Sequence, residues 1–183
     1  MLKELWYKED EEPEKIYYDC QDKLYEYNNL KQSDIKKREQ LIKTILGKIG
    51  SKPNINIPFR CDYGVNIEVG EKFFSNFNLT ILDNGKVIIG DNVLIGPNVS
   101  IYSVTHPFDY IERRKGYIQG KQITIGNDVW IGGNVVILPG VSIGDNTIIG
   151  AGSVVTKDIP SNVIAVGNPC KIIKKNTSHL NVM

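Results

Sequence analysis

The sequence predicts a mainly β protein, a parallel β-helix built from hexapeptide repeats. Isoleucine or valine occupies every sixth position from Ile125 to Val155, and glycine follows most of these residues. A companion series that starts at Val129 keeps the same six-residue spacing. This period fits neither an α-helix nor a simple strand. A six-residue repeat rich in Gly, Asn and Asp is typical of a β-helix whose flat faces turn corners at regular intervals.

The repeat extends upstream of this stretch. The residues in phase are Tyr63, Val69, Ser75, Ile81, Ile89, Ile95 and Ile101. The step from Ile81 to Ile89 is longer than six residues, so one corner should carry a two-residue bulge near Asp83. Because one coil takes three hexads, the repeats predict about four coils within residues 53–168.

Residues 102–122 break the repeat, yet its phase is unchanged when it resumes at Ile125. This pattern predicts a loop that leaves the coil stack and returns to it. Binding and catalytic groups favour loops held by a rigid scaffold. His106 lies at the start of this loop, followed by Pro107. An imidazole can accept the proton of a hydroxyl as that hydroxyl attacks an ester, so His106 is a candidate general base.

Residues 1–52 are charged, rich in tyrosine and free of the hexad repeat. Apolar spacing predicts one helix over about 14–30 and a second that begins near Ser33 and stops at Gly47 or Gly50. We expect these helices to cover an open end or side of the β-helix, which would otherwise expose edge strands.

The charge balance gives no reason to expect a nucleic-acid or membrane partner. Lys and Arg total 22 and Asp and Glu total 21, which leaves a net charge of +1. No apolar run approaches the ~18 residues of a membrane span, and the N-terminus lacks the apolar core of a secretory signal. Three cysteines are too few and too scattered for a disulfide framework. These features favour a cytoplasmic location.

Metal chemistry is disfavoured by the histidine count. A zinc site of the kind found in β-helical carbonic anhydrases needs three histidines, whereas this chain has only His106 and His179. We therefore expect no metal site.

Two further clusters are candidate sites. Asn76 and Asp83 lie near the irregular corner, whereas most Asp-Asn pairs at other corners are expected only to support tight turns. Stacked coils are ~4.8 Å apart, so we expect residues a turn earlier to approach the root of the loop. The basic tail, residues 169–183, contains Lys171 and Lys174. Its lysines suit either a solvated strand or a clamp for nucleotide phosphates.

The order of these motifs resembles the maltose/galactoside O-acetyltransferases of the hexapeptide-repeat family. The resemblance covers essentially the whole chain. It rests on 59–64 (FRCDYG), Asn76-Phe77 with Asp83, 89–92 (IGDN), Thr105-His106-Pro107, 125–133 (IGNDVWIGG), 150–160 (GAGSVVTKDIP) and Gly167-Asn168-Pro169 before the basic tail.

This resemblance implies a left-handed β-helix that works as a homotrimer with active sites between subunits. It implies direct acetyl transfer from acetyl-CoA to a hydroxyl of a maltose-, glucose- or galactoside-type sugar. His106 matches the general base, and Asn76 matches the residue that orients it and stabilises the transition state. The acceptor positions are Asp62, Asn76 and Asp83. The coenzyme positions are Trp130, Gly133, Ala151, Thr156, Lys157, Lys171 and Lys174.

Two alternatives remain open from the sequence. The acceptor could instead be an antibiotic, a serine or an amino sugar, as in other hexapeptide acetyltransferases. The β-helix could also be a non-catalytic binding surface, although no regular Thr ladder of the ice-binding kind is present. The acidic stretch 9–12 does not match the acceptor-binding aspartate of the galactoside branch, so the sequence leaves the acceptor's identity open.

Overall fold

The computed structural model describes residues 5–8 and 14–177, and it forms a three-faced coil of short strands. The acidic stretch 9–12 and His179, both discussed above, lie outside the described residues. The helices are α1 (Glu14–Asn28), α2 (Ile35–Ile45) and α3 (Tyr110–Arg114). The strands are β1 (Tyr7–Lys8), β2 (Lys48–Ile49), β3 (Asn54–Ile55), β4 (Phe59–Cys61), β5 (Ile67–Val69), β6 (Phe74–Ser75), β7 (Leu79–Leu82), β8 (Val87–Ile89), β9 (Leu94–Ile95), β10 (Ser100–Tyr102), β11 (Val104–Thr105), β12 (Tyr117–Gly120), β13 (Ile123–Ile125), β14 (Trp130–Ile131), β15 (Val136–Ile137), β16 (Ser142–Ile143), β17 (Ile148–Ile149), β18 (Val154–Val155), β19 (Val163–Val166) and β20 (Lys171–Lys175).

The strands fall on three faces that the chain visits in turn. Face 1 contains β2, β5, β8, β13 and β16; face 2 contains β3, β6, β9, β14, β17 and β19; face 3 contains β4, β7, β10, β15 and β18. Neighbouring strands within each face are parallel. The final strand, β20, adds antiparallel to β19 at the edge of face 2.

The hexad isoleucines and valines point into the prism. On face 1 the aligned inward residues are Ile49, Val69, Ile89, Ile125 and Ile143. Four of these five side chains are at most 2% exposed. Each buried side chain of this size stabilises the fold by roughly 1.5–3 kcal/mol, so the ladders explain why so short a repeat can form a stable coil.

The coil stack is longer than the sequence predicts. Faces 1 and 3 each contain five strands, and face 2 contains six parallel strands. The stack therefore has five to six coils instead of the expected four. The stack begins at Lys48 rather than at residue 53, and Lys171–Lys175 of the expected tail form a strand. The physical reason is that the strands at the ends of the stack lie outside the strict six-residue spacing from which the coils were counted. Ile49 pairs with Val69, twenty residues on, so the first coil does not follow a strict eighteen-residue repeat.

Asparagine and aspartate support the corners, as the sequence indicates. Asn92, Asp128 and Asn146 adopt positive φ angles of 55°, 57° and 51°. Their short polar side chains tolerate this left-handed backbone. They also link adjacent coils: Asn92 Nδ2 donates to Asp128 Oδ1 at 3.0 Å.

The N-terminal helices cover the first coil, which confirms the expectation for this segment. Asn28 pairs with both the N–H and the carbonyl of Phe59, at 2.9 and 2.8 Å. The Tyr27 hydroxyl donates to the carbonyl of Ile55 at 2.6 Å. Helix side chains thus satisfy backbone groups at the edge of the stack that would otherwise remain open for pairing.

The loop between β10 and β13 leaves the stack as a hairpin. Its strands β11 and β12 are antiparallel, and β12 also pairs with β1 in a three-stranded sheet. The helix α3 lies between β11 and β12. The expected extruded segment is therefore an ordered arm with its own hydrogen bonds.

Candidate functional site

A cavity of about 450 Å³ lies where the chain leaves face 3, and we call it the His106 cavity. Its lining residues are Glu14, Tyr17, Tyr18, Asp62, Tyr63, Leu82, Asn84, Val104, His106 and Ile118. Three of these lie along one corner: Asp62 follows β4, Asn84 lies two residues after β7, and His106 follows β11, which begins just after β10 reaches that corner. Stacking of the coils therefore brings His106 and Asp62 to one cavity. The His106 side chain is exposed to the cavity.

The segment after His106 is held by the arm itself. Arg113 Nη1 donates to the carbonyl oxygens of Pro107 at 2.8 Å and Phe108 at 3.3 Å. Asp109 caps α3 by accepting from the N–H of Ile111 at 2.7 Å. Nothing in the sequence pattern singles out Arg113. The role of Arg113 depends on how the arm folds, which the sequence does not show. Asp109 is different, because an aspartate before a short helical segment is a recognisable helix cap.

Asp83 does not line the His106 cavity, contrary to the expectation of an acceptor contact. It is fully buried, and its Oδ1 accepts from the backbone N–H groups of Asp62 and Tyr63, both at 2.9 Å. The two-residue bulge directs this side chain inward, beneath the corner. Its neighbour Asn84 lines the cavity instead. Asp83 thus positions the backbone of two cavity residues.

Burial raises the pKa of Asp83 from its ordinary 3.8 to about 7, although backbone N–H groups, led by that of Asp62, pull it downward. Its Oδ2 is buried, with no hydrogen-bond partner among the described residues. Because the folded chain keeps the proton to a higher pH than the unfolded chain, Asp83 contributes stability below about pH 4. That contribution is lost as the pH rises to about 7. The contribution is on the order of 4 kcal/mol at most.

We therefore expect Asp83→Asn to raise the free energy of unfolding more at pH 8 than at pH 5. An asparagine Oδ1 can still accept both N–H groups, whereas the buried negative charge disappears. Denaturant unfolding at both pH values, at one fixed protein concentration, measures this difference. Asp91→Asn is the matched control, because Asp91 is an exposed corner carboxylate that also accepts a backbone N–H, that of Glu71. Equal effects of the two substitutions at both pH values would contradict the prediction.

A second cavity of about 510 Å³ lies along face 2, and we call it the face 2 groove. The side chains that point outward there are apolar in successive coils: Phe74, Leu94, Trp130 and Ile148. On face 1 the corresponding outward residues include Glu68, Thr124 and Ser142. Leu94 and Trp130 remain 49% and 53% exposed. An outward apolar row of this kind marks a surface that binds a ligand or a partner.

Glycines form the floor of this groove at its corner. A Cβ on Gly96 would lie 2.5 Å from the backbone nitrogen of Gly133, and one on Gly132 would lie 2.5 Å from that of Ala151. Side chains at these positions would force the coils apart. The glycines therefore allow close stacking and leave room beside Trp130.

Asn76 lies in the face 2 groove and not in the His106 cavity. It follows β6, at the corner between faces 2 and 3, whereas His106 follows β11, in the arm that leaves from the corner between faces 3 and 1. Contrary to the expectation from the stacking of coils, Asn76 therefore does not approach the root of the arm within one chain, and its role in orienting His106 stays a prediction. Proximity along the stack brings together only residues at the same corner.

The coenzyme candidates divide into two groups. Trp130, Gly133 and Ala151 line the face 2 groove. The other group does not line the groove. It consists of exposed side chains near the C-terminal end of the stack: Thr156, Lys157, Lys171 and Lys174. Lys171 and Lys174 belong to β20, the outermost strand of face 2. The coenzyme roles of all seven residues remain predictions.

The sequence suggests that the N-terminal helices also contribute to a substrate rim, but it does not identify the residues of α1 that do so. Glu14, Tyr17 and Tyr18 all line the His106 cavity. The only sequence feature that points to these residues is the tyrosine-rich composition of the N-terminal segment. The hexad repeat carries no information on how a helix packs against the coil stack.

Among the described residues, 5–8 and 14–177, no helix is long and apolar enough to cross a membrane. No cluster of three or more His, Cys, Asp or Glu side chains in that part of the chain is arranged to hold a metal ion.

Comparisons with known proteins agree with this architecture. Residues 1–50 match the maltose acetyltransferase hexapeptide capping motif, residues 86–105 match the hexapeptide repeat of succinyl-transferase, and residues 122–157 match the bacterial transferase hexapeptide family. The chain is 51% identical to the galactoside O-acetyltransferase of Escherichia coli K12 over 152 residues, which is 83% of this chain and 75% of that protein.

Solved structures give the same result. A maltose O-acetyltransferase from Clostridium difficile 630 is 46% identical with a TM-score of 0.95, over 97% of this chain and 95% of that one. A galactoside acetyltransferase in complex with coenzyme A is 44% identical with a TM-score of 0.92, over 95% and 88%. The expected left-handed parallel β-helix is confirmed. The chain therefore belongs to the maltose/galactoside O-acetyltransferases of the hexapeptide-repeat family.

Proposed function

We propose that this protein transfers the acetyl group of acetyl-CoA to a hydroxyl of a sugar, with His106 as the general base. The proposal rests on the position of the His106 side chain. Its imidazole is exposed in a cavity at the root of an arm that Arg113 holds in place. An accessible imidazole on a backbone segment held in this way suits proton abstraction from an alcohol.

The face 2 groove is suited to the donor. Its apolar row can pack against a pantetheine chain, and three strand steps separate Trp130 on β14 from the lysines of β20. Strand spacing makes this about 14 Å. An extended coenzyme could therefore lie in the groove and place its phosphates beside Lys171 and Lys174. Coenzyme A bound to a 44% identical relative supports this assignment.

The reaction needs one proton acceptor and one anion site. His106 takes the hydroxyl proton as the sugar oxygen attacks the thioester carbonyl carbon. The new C–O bond forms, negative charge develops on the carbonyl oxygen, and the C–S bond then breaks. The departing thiolate takes the proton from the imidazolium. The Asn76 amide and backbone N–H groups near Gly133 line the groove where that oxygen would lie, and they are candidates to stabilise it.

One chain alone does not bring these groups together, because Asn76 and His106 lie in different cavities on opposite sides of face 3. We infer that the site is completed between copies, in a homotrimer. The apolar surface supports this. Phe77, next to Asn76, and Phe108, two residues after His106, are 47% and 101% exposed. Side chains of this type are enriched at protein interfaces.

We also propose that the enzyme works in the cytoplasm, where acetyl-CoA is available. Its cysteines Cys20, Cys61 and Cys170 are free thiols, which suits a reducing compartment.

The proposal is tested by an acceptor screen with acetyl-CoA. Release of free thiol is followed for the full-length protein with maltose, glucose, galactosides, amino sugars, serine and acetylatable antibiotics. We expect release that depends on a neutral sugar, together with a product heavier by one acetyl group. Release only with an antibiotic or serine would favour the alternative acceptors. No release with any compound would remove the enzymatic assignment.

A further inference from the structure

We propose that a third cavity, between α2 and the first coil, binds a small organic carboxylate through the guanidinium of Arg38. The cavity has a volume of about 300 Å³, and we call it the Arg38 cavity. It shares no lining residue with the His106 cavity or the face 2 groove, so it is separate from both candidate sites of the transfer reaction.

The cavity lies where the N-terminal helices cover the start of the coil stack. Its helical wall includes Ile35, Arg38 and Ile42, whose spacing of three and four residues places them on one face of α2. The opposite wall is the segment 52–55, which contains the corner before β3 and β3 itself. Tyr27 of α1 also lines the cavity.

Arg38 carries a buried charge that lacks a counter-ion. Its side chain is only 7% exposed, yet it takes part in none of the ion pairs formed within residues 5–8 and 14–177. Nη1 donates to the carbonyl of Gln32 at 3.3 Å, and Nη2 donates to the carbonyl of Ile55. Nε is buried with no hydrogen-bond partner among the described residues. Arginine is almost never buried to this extent unless it is paired.

The groups around Arg38 do not supply the missing negative charge. The Ile55 carbonyl is neutral, and it also accepts from the Tyr27 hydroxyl at 2.6 Å, which occupies both of its lone pairs. The guanidinium carbon lies 5.7 Å from the centroid of the Tyr27 ring, a favourable but uncharged contact. Glu39, the acidic residue of the lining, pairs with Lys43 at 2.7 Å instead. A buried charge without a partner favours binding of an anion.

The rest of the lining indicates which kind of anion fits. A second cation, the exposed side chain of Lys52, lies on the wall opposite α2. Several other lining residues are apolar: Ile35, Ile42, Pro53 and Ile55. A planar guanidinium matches a planar carboxylate, and apolar walls favour a hydrocarbon body over a bare inorganic ion. The volume is at the lower end for small-molecule sites, which suits an acid with one ring or a short branched chain.

The binding test uses benzoate and its neutral analogue benzamide. Both are titrated into the full-length wild-type protein by isothermal calorimetry at one fixed ionic strength. We expect benzoate to bind at one site per chain with a dissociation constant of about 1 mM or lower. Benzamide lacks the charge and inorganic phosphate lacks the apolar body, so each should bind at least tenfold more weakly.

The location of the site is tested with Lys52→Gln and Lys72→Gln. Both lysines are exposed, both have a φ of 53°, and they occupy the same corner of the first two coils. Only Lys52 lines the cavity. We expect Lys52→Gln to weaken benzoate binding roughly two- to fivefold, as is usual for an exposed charge, and Lys72→Gln to leave it unchanged.

Replacing Arg38 should have the larger effect. We expect Arg38→Gln to abolish measurable benzoate binding, because the variant lacks the buried charge. Circular dichroism checks that this variant is folded, since Arg38 also holds two backbone carbonyls. If it does not fold, the lysine pair and the comparison of benzoate with benzamide decide the question.

Three results would overturn the proposal. The first is no saturable binding of benzoate to the wild type, and the second is equally tight binding of benzamide or inorganic phosphate. The third is an equal effect of Lys52→Gln and Lys72→Gln, which would place the bound anion outside the Arg38 cavity. None of these measurements depends on acetyl transfer, so their outcome is independent of the proposed function.

Discussion

Replacing His106 by alanine should lower kcat by about 100-fold or more, because positioned general bases contribute about 10²–10⁴ to a rate. The KM for acetyl-CoA should change little, since His106 does not line the face 2 groove. The side chain is exposed, so its removal should leave the unfolding midpoint close to that of the wild type. Steady-state assays with saturating acetyl-CoA and a responsive sugar acceptor measure the loss.

The chain supplies a matched control in His179, its other histidine. We expect His179→Ala to retain wild-type turnover. Partial recovery of His106→Ala activity by added imidazole would further indicate that the missing group is a proton acceptor. Wild-type turnover by His106→Ala would show that another group removes the proton, and the mechanism proposed here would have to be abandoned.

The core of the fold was predictable because its physical cause is periodic. Ile125 and Ile143 lie on one ladder since the chain takes three short strands to return to the same face. The arm was predictable for the same reason, as an interruption of that period. The ends were not. The pairing of Ile49 with Val69 depends on a longer first coil, whose hexads are broken by extra corner residues.

The site was only partly predictable. His106 and Asp62 line one cavity because both lie along the corner where the chain leaves face 3. Asn76 lies at a different corner, because nearness along the stack does not imply nearness around the three faces. Counting hexads around the three faces would have put it on a different corner. The tyrosines of α1 could not be found in this way, since the packing of a helix on the prism follows from side-chain shape and not from the repeat.

A mixture of His106→Ala and Asn76→Ala protomers should regain activity that neither variant has alone. Each variant by itself should lose about 100-fold in kcat, through the missing base or the missing anion donor. If a site takes His106 from one copy and Asn76 from its neighbour, a mixed ring contains some sites with both residues. Every trimer that contains both variants has both residues in one of its three sites, so mixed trimers should recover about a third of the wild-type activity.

Co-expression of the two variants with different affinity tags yields the mixed assemblies, and sequential purification on both tags isolates them. The control pairs His106→Ala with the double variant His106→Ala/Asn76→Ala, because no arrangement of those two chains contains the base. If activity recovers in the first mixture and not in the control mixture, the His106 cavity and the face 2 groove must meet across an interface between copies. Should both residues instead act within one chain, every site would lack one of them, and mixing would restore nothing.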